Sequence, residues 1–127
     1  MISCRAALSA DFPKLIKLWT DVFEEPAEAV ELFLNRNKGY LHAYVAEEND
    51  VVSALYLVDC ALNGKAAHYL CGVATEPGYR KRGIMTKLLE YALNDAGQRG
   101  DVYSVLYPAN TSLYSYYAKR GYLPKCK

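Results

Sequence analysis

A chain of 127 residues, 52% hydrophobic and 23% charged, has the size and composition of one soluble globular domain with a single core. Fifteen basic residues against fourteen acidic leave a formal charge of +1, so no global field draws nucleic acid or an anionic membrane, and neither partner is expected. With no signal segment, no long apolar run, no repeats and no linker, residues 1–127 read as one cytoplasmic domain.

Residues 1–7 read as a short strand. Ser9 and Asp11 offer N-cap chemistry to a helix carrying Leu15, Ile16, Leu18, Trp19, Val22 and Phe23. Pro26 then restarts the chain into a second helix with Val30, Leu32, Phe33 and Leu34. The burial habits of helix aromatics put Trp19, Phe23 and Phe33 in the core rather than in a cleft. From Tyr40 the period changes: 40–47, 51–62 and 65–75 are β-branched and aromatic runs divided by Asn49-Asp50 and by Asn63-Gly64. The second of these dividers is a strong signal for a two-residue hairpin, and three consecutive antiparallel strands are expected. Gly72, isolated inside the third, marks a bulge or a close backbone contact.

Cys4, Cys60, Cys71 and Cys126 are scattered without any C-x-x-C, and read as reduced, buried small side chains. His68 and Cys71 fall on opposite faces of a strand, so no metal site is expected.

The segment from Val73 to Leu89 holds the most chemistry. An apolar strand breaks into a basic turn that opens an amphipathic helix, and such a helix start presents unpaired N–H groups and the positive end of the helix dipole. Gly83 lets a ligand approach the backbone, while Arg80, Lys81 and Arg82 add charge, which suits a phosphate or pyrophosphate. There is no G-x-x-x-x-G-K-[ST], and no G-x-G-x-x-G with a following acidic residue, so nucleotide and dinucleotide loops are set aside. Ile84, Leu88, Leu89, Ala92, Leu93 and Ala96 form the buried stripe of this helix, which Gly97 and Gly100 stop. Residues 101–107 read as a parallel strand reached by a crossover, and Pro108 ends it. Asn110 or Thr111 caps a last helix, and 122–127 begin another strand.

Two segments carry a family resemblance. Arg80-x-x-Gly83-x-Met85 resembles the R/Q-x-x-G-x-G/A signature of the GCN5-related N-acetyltransferase (GNAT) superfamily, with Met85 in place of the final Gly or Ala. The run from Asn110 to Tyr122 is similar to that family's N-x-x-A-x-x-x-Y-x-x-x-G-[FY], matching at Asn110, Tyr117, Gly121 and Tyr122, with Leu113 for the usual Ala. The Arg-rich turn, Tyr-rich last helix and Gly-Tyr ending look closest to the acetyltransferase half of the enhanced-intracellular-survival type of aminoglycoside acetyltransferases.

The resemblance implies an α/β fold, a central mixed and mostly antiparallel sheet of about six strands with about four helices, splayed between its fourth and fifth strands. It implies acetyl-CoA as co-substrate, with the pyrophosphate at Arg80, Lys81, Arg82, Gly83, Ile84, Met85 and Thr86. The pantetheine arm would run beside Cys71, Val73 and Thr75, with Asn110, Tyr114 and Tyr117 lining the same slot. Tyr117 is the implied general acid, and the backbone N–H at or near Val73 the group that polarises the thioester carbonyl. Glu76 is the best carboxylate for a general base; the same residue also reads as a surface group before Pro77-Gly78, and ordered water is the alternative base. The acceptor is a primary amine of a small molecule or a peptide. A coenzyme-A-binding module without turnover, or the N-terminal fragment of a longer acetyltransferase, are the competing readings. Because the sequence stops five residues after Tyr122 where the superfamily continues into a further strand, a homodimer covering that edge is expected, or else an excised piece of a longer chain.

Overall fold

Three β-branched and aromatic runs across residues 41–75 build the centre of the molecule, the middle one continuously buried because both faces of the sheet are covered. The computed structural model describes residues 2–106. The last expected helix with Asn110, Tyr114 and Tyr117, the strand after it, Cys126 and the expected dimer edge lie outside the described residues. Among the described residues five strands form one sheet in the order β1 (Ser3–Ala6), β2 (Leu41–Glu48), β3 (Asp50–Leu62), β4 (Lys65–Thr75) and β5 (Tyr103–Leu106). The first four are antiparallel neighbours. Only β5 pairs parallel, from Ala67 opposite Tyr103 to Leu70 opposite Leu106. Three helices accompany them: α1 (Phe12–Phe23), α2 (Ala27–Arg36) and α3 (Ile84–Gln98). The expected mixed, mostly antiparallel α/β architecture is therefore present. The further strand and helix of that expectation belong to the segment outside the described residues.

Turn chemistry explains the hairpins. Asn63 and Gly64 have φ of 55° and 76°, the two left-handed residues that a tight β3–β4 connection requires. Both faces of the sheet are covered. Leu55, Leu57 and Leu70 pack under Leu88, Leu89 and Ala92 of α3, while Val45, Ala54 and Tyr56 pack under Leu15 and Leu18 of α1 and Val30 and Leu34 of α2. Each fully buried Leu contributes about 1.5–3 kcal/mol, so these two layers hold the sheet between the helices.

Three expectations need correction. Asp11 does not cap α1: it closes the preceding short turn by accepting from the Leu8 N–H at 2.7 Å, and it takes Arg5 Nη1 at 2.7 Å and Nη2 at 3.1 Å. Trp19 and Phe33 pack, partly buried, against the core as expected, but Phe23 is 39% and Leu32 51% exposed. Cys60 is exposed near the distal end of β3, and Cys4 and Cys71 are half-buried.

Candidate functional site

The expected irregularity in β4 is a bulge. Ala54 pairs with Ala74 and Tyr56 with Cys71, so Gly72 and Val73 together face the single residue Leu55. Gly72 takes φ of 63°, a left-handed value that a glycine tolerates. A Cβ here would collide with the rings of Trp19 and Tyr56, so packing demands glycine as strongly as the backbone does. Beyond the bulge β4 has no described partner on its β5 side, where pairing ends at Leu70 and Leu106. At its far end the strand is pinned to β3: Ser53 Oγ donates to the Ala74 carbonyl at 3.0 Å and meets Thr75 Oγ1 at 2.9 Å.

From that fixed end the chain turns into α3. The Arg80 Nε donates back to the Thr75 carbonyl at 2.9 Å. Arg82 lies 5.2 Å above the Tyr79 ring and reaches Glu48 at 3.3 Å, so the two guanidinium stems are held against the turn while both side chains stay in solvent. Lys81, at φ of 64°, is exposed. Gly83 is the N-cap of α3 at φ of 76°, and no side chain caps the helix. The first helical bond runs from the Lys87 N–H to the Gly83 carbonyl at 3.1 Å, which leaves the Ile84 and Met85 N–H groups without an acceptor in the helix. A Cβ on Gly83 would meet nothing within 4 Å. An uncapped helix start, open space over its N-cap and three basic residues beside it fit a pyrophosphate. Met85 does not obstruct this cradle. Its side chain packs against the α3 core, so the departure from Gly or Ala is absorbed inside the protein.

A family profile for the acetyltransferase (GNAT) domain matches residues 3–124. The chain belongs to the GNAT acetyltransferase family. Its fold is shared by a protein from Clostridium acetobutylicum described as a predicted acetyltransferase and solved with acetyl-CoA, at a TM-score of 0.83 and 21% identity over 98% of this chain and 92% of that one. Glucosamine-6-phosphate N-acetyltransferase from Arabidopsis thaliana superposes with a TM-score of 0.79 and 16% identity, covering 100% of this chain and 95% of that one. An aminoglycoside acetyltransferase from an uncultured soil metagenomic sample, in complex with sisomicin, gives 0.73 and 22% over 99% and 90%. No curated protein matches the chain.

The remaining expected residues of the GNAT domain divide clearly. Cys71, Val73 and Thr75 lie along the bulged half of β4, with Cys71 on the α1 face and Val73 packed toward α3. Burial pushes the Cys71 thiol up to about 11, so it stays protonated and is no nucleophile at neutral pH. Glu76 follows β4, its N–H donating to the Val52 carbonyl at 2.8 Å. Its Oε2 lies 3.2 Å from Lys14 Nζ, which also reaches Asp50 at 3.3 Å. Burial alone would lower the Lys14 pKa, but the hydrogen bonds to Glu76 and Asp50 hold it above the ordinary lysine value. This three-way ion cluster was not legible from the sequence, since Lys14 and Glu76 are joined only by the docking of α1 on the sheet.

His68 and Cys71 indeed face opposite sides. His68 is buried, with Nδ1 2.9 Å from Asp101 Oδ2 and Nε2 2.6 Å from Ser104 Oγ, a network that ties the start of β5 to β4. No group of three or more metal-ligating side chains occurs among the described residues, and no described helix is long and apolar enough to cross a membrane.

Proposed function

We propose that this GNAT domain transfers an acetyl group from acetyl-CoA to a primary amine of a small molecule or a peptide. The observation that carries this is the uncapped start of α3 behind the left-handed Gly83, set at the end of a bulged β4 and flanked by Arg80, Lys81 and Arg82. Bound acetyl-CoA supplies an activated thioester carbonyl. The N–H groups of the first α3 turn, Ile84, Met85 and Thr86, and the three cations hold the pyrophosphate, which fixes the position of the far end of the molecule. Cys71, Val73 and Thr75 flank the arm, and the bulge frees Val73 to aim its N–H at the carbonyl oxygen.

Proton traffic falls to two further groups. Tyr117, whose phenol has an ordinary pKa of about 10, protonates the departing thiolate, with Asn110 and Tyr114 lining the slot around it. Glu76 is the base. Because Lys14 holds its carboxylate, the proton reaches it through an ordered water. A cytoplasmic enzyme of this kind meets both amine classes, and the aminoglycoside and amino-sugar enzymes that share its fold favour a small polyhydroxylated amine, in line with the enhanced-intracellular-survival resemblance. Self-association as a homodimer completes the proposal.

Release of free thiol from acetyl-CoA across an amine panel tests the reading. Tyr117→Phe should cut turnover about a hundredfold while leaving coenzyme affinity within about twofold, since the hydroxyl acts only as the thiolate leaves. Equal turnover in both proteins would remove Tyr117 from the chemistry. Absence of thiol release with every amine, alongside tight coenzyme binding, would instead favour the module without turnover.

A further inference from the structure

Past the C-terminal end of α3 the sheet face that packs under this helix turns from apolar to polar. Leu57 and Leu70 pack in the α3 layer; His42 stands opposite Leu57, Asp59 follows two residues on, and His68 stands opposite Asp59, so all three share that face. His42, Asp59 and Ala66 from the strands, with Arg99 and Asp101 from the α3–β5 turn, line an open cleft of about 270 Å³. That is close to the lower end of the range for small-molecule sites, about 300–1,000 Å³. Its charged groups are only partly engaged. Asp59 Oδ1 lies 3.0 Å from His42 Nε2, and Asp101 Oδ2 lies 2.9 Å from His68 Nδ1. Arg99 Nη1 donates to Tyr44 Oη at 2.6 Å and to Asp95 Oδ2 at 2.8 Å, while Nη2 stands 3.8 Å from Asp101 Oδ2, beyond hydrogen-bond reach. Among the described residues Asp59 Oδ2, Asp101 Oδ1 and Arg99 Nη2 therefore make no hydrogen bond, and none of the three is sealed in the core. The Asp101 side chain is only 10% exposed, so its second oxygen is held in place with little water around it, a position that favours a partner.

Two acceptors and one donor facing a single cleft call for a ligand that carries a cation and an anion side by side. A metal ion does not fit: no group of three metal-ligating side chains occurs among the described residues, and partial desolvation, then Asp101 and Asp59, hold the nearby Cys60 thiol above its ordinary range and hence neutral. A simple ammonium would meet the guanidinium edge of Arg99 with nothing to offer it, and a simple carboxylate would face Asp59 and Asp101. We propose that this cleft binds a free α-amino acid with a short apolar side chain, whose ammonium donates to Asp59 Oδ2 and Asp101 Oδ1 while its carboxylate accepts from Arg99 Nη2. The ligand's side chain lies against Ala66, which is exposed and sits two residues before His68 on the same face. Gly83 and Arg99 cap opposite ends of the fifteen-residue α3, so this site is about 20 Å from the proposed coenzyme cradle and does not depend on the acetyl-transfer reading.

The test is an amide NMR titration of the full chain with three probes that share one side chain: L-valine, L-valinamide, which lacks the carboxylate, and isovalerate, which lacks the ammonium. L-Valine should give saturable shifts centred on Ala66, Ala67, Gly100 and Asp101, and each of the other two should bind about tenfold more weakly or worse, having lost one charge-assisted contact. Asp59→Asn keeps the shape of the cleft and an oxygen for His42 but removes the charge, and should weaken L-valine about tenfold. The L-valine shifts should persist when the protein is saturated with acetyl-CoA. No saturable shift with L-valine, binding of valinamide or isovalerate as tight as that of L-valine, or an unchanged affinity in Asp59→Asn would each overturn the assignment. Displacement of L-valine by acetyl-CoA would overturn it as well, because it would move the amino acid to the coenzyme site; failure of acetyl-CoA to bind at all would count against the acetyl-transfer reading and leave this site to be judged on L-valine alone.

Discussion

The β4–α3 turn and the face of the sheet beneath α1 are each built around a left-handed glycine, and the two glycines do opposite work. Around Gly83 there is open space: a side chain would touch nothing of the protein, and what it would fill is the approach to the helix N–H groups. Around Gly72 the space is already taken by Trp19 and Tyr56. One glycine leaves open space, which the proposed coenzyme would use; the other leaves room for the protein's own rings. The same backbone conformation, φ of 76° in one and 63° in the other, is thus expected to have its cost in binding at Gly83, on the proposed reading, and in folding at Gly72.

The largest effect separates the two by stability. Gly72→Ala should cost about 3 kcal/mol or more in urea unfolding, from left-handed strain together with collision against two aromatic rings. A variant as stable as wild type would mean that Trp19 and Tyr56 yield easily, and the contrast between the sites would dissolve. Gly83→Val should cost only backbone strain, about 1–2 kcal/mol, yet weaken acetyl-CoA about a hundredfold, because a branched side chain fills the cradle.

Smaller effects probe the supports of each region. Asp11 anchors the entry to α1 through Arg5 and the Leu8 N–H, and Arg5 also holds Glu47. Asp11→Asn should cost about 1–2 kcal/mol at neutral pH. The hydrogen bond from Arg5 lowers the folded-state pKa of Asp11, so its contribution is present above the unfolded value of about 3.9 and fades as pH falls through the lower folded value. Wild type and variant stabilities should therefore converge in acid, and a gap that stays constant to pH 2 would show that charge is not the cause. Ser53→Ala removes the donor to the Ala74 carbonyl at the end of β4 and should cost about 1 kcal/mol, read from the same urea curves, with coenzyme affinity changed by less than about threefold.

What the sequence revealed follows the same division. The helix start at Gly83 and the basic turn before it were legible because they are local: a glycine, three cations and a helix start are visible in one line of residues. The Asn63-Gly64 hairpin was legible for the same reason. Gly72 was legible as a bulge, but not the reason for it, since Trp19 and Tyr56 reach it from other elements. The partners of Asp11 are not legible locally: its carboxylate takes Arg5 from the preceding strand and the Leu8 N–H before it, and so is not turned to the first N–H groups of α1. The network of Tyr44, Asp95 and Arg99, in which burial and the hydrogen bond to Asp95 raise the phenol to about 12, joins β2 to the end of α3 and had no local sign at all. His68 with Asp101 and Ser104 is hidden in the same way, by the parallel register of β5.

The central claim is that the backbone opened by Gly83 holds the coenzyme. Calorimetric titration of acetyl-CoA into wild type and Gly83→Val, each first shown to be folded by circular dichroism, tests it most directly. The account predicts a single saturable site in the wild type and an affinity about a hundredfold weaker in the variant. Equal affinity in the two proteins would contradict it.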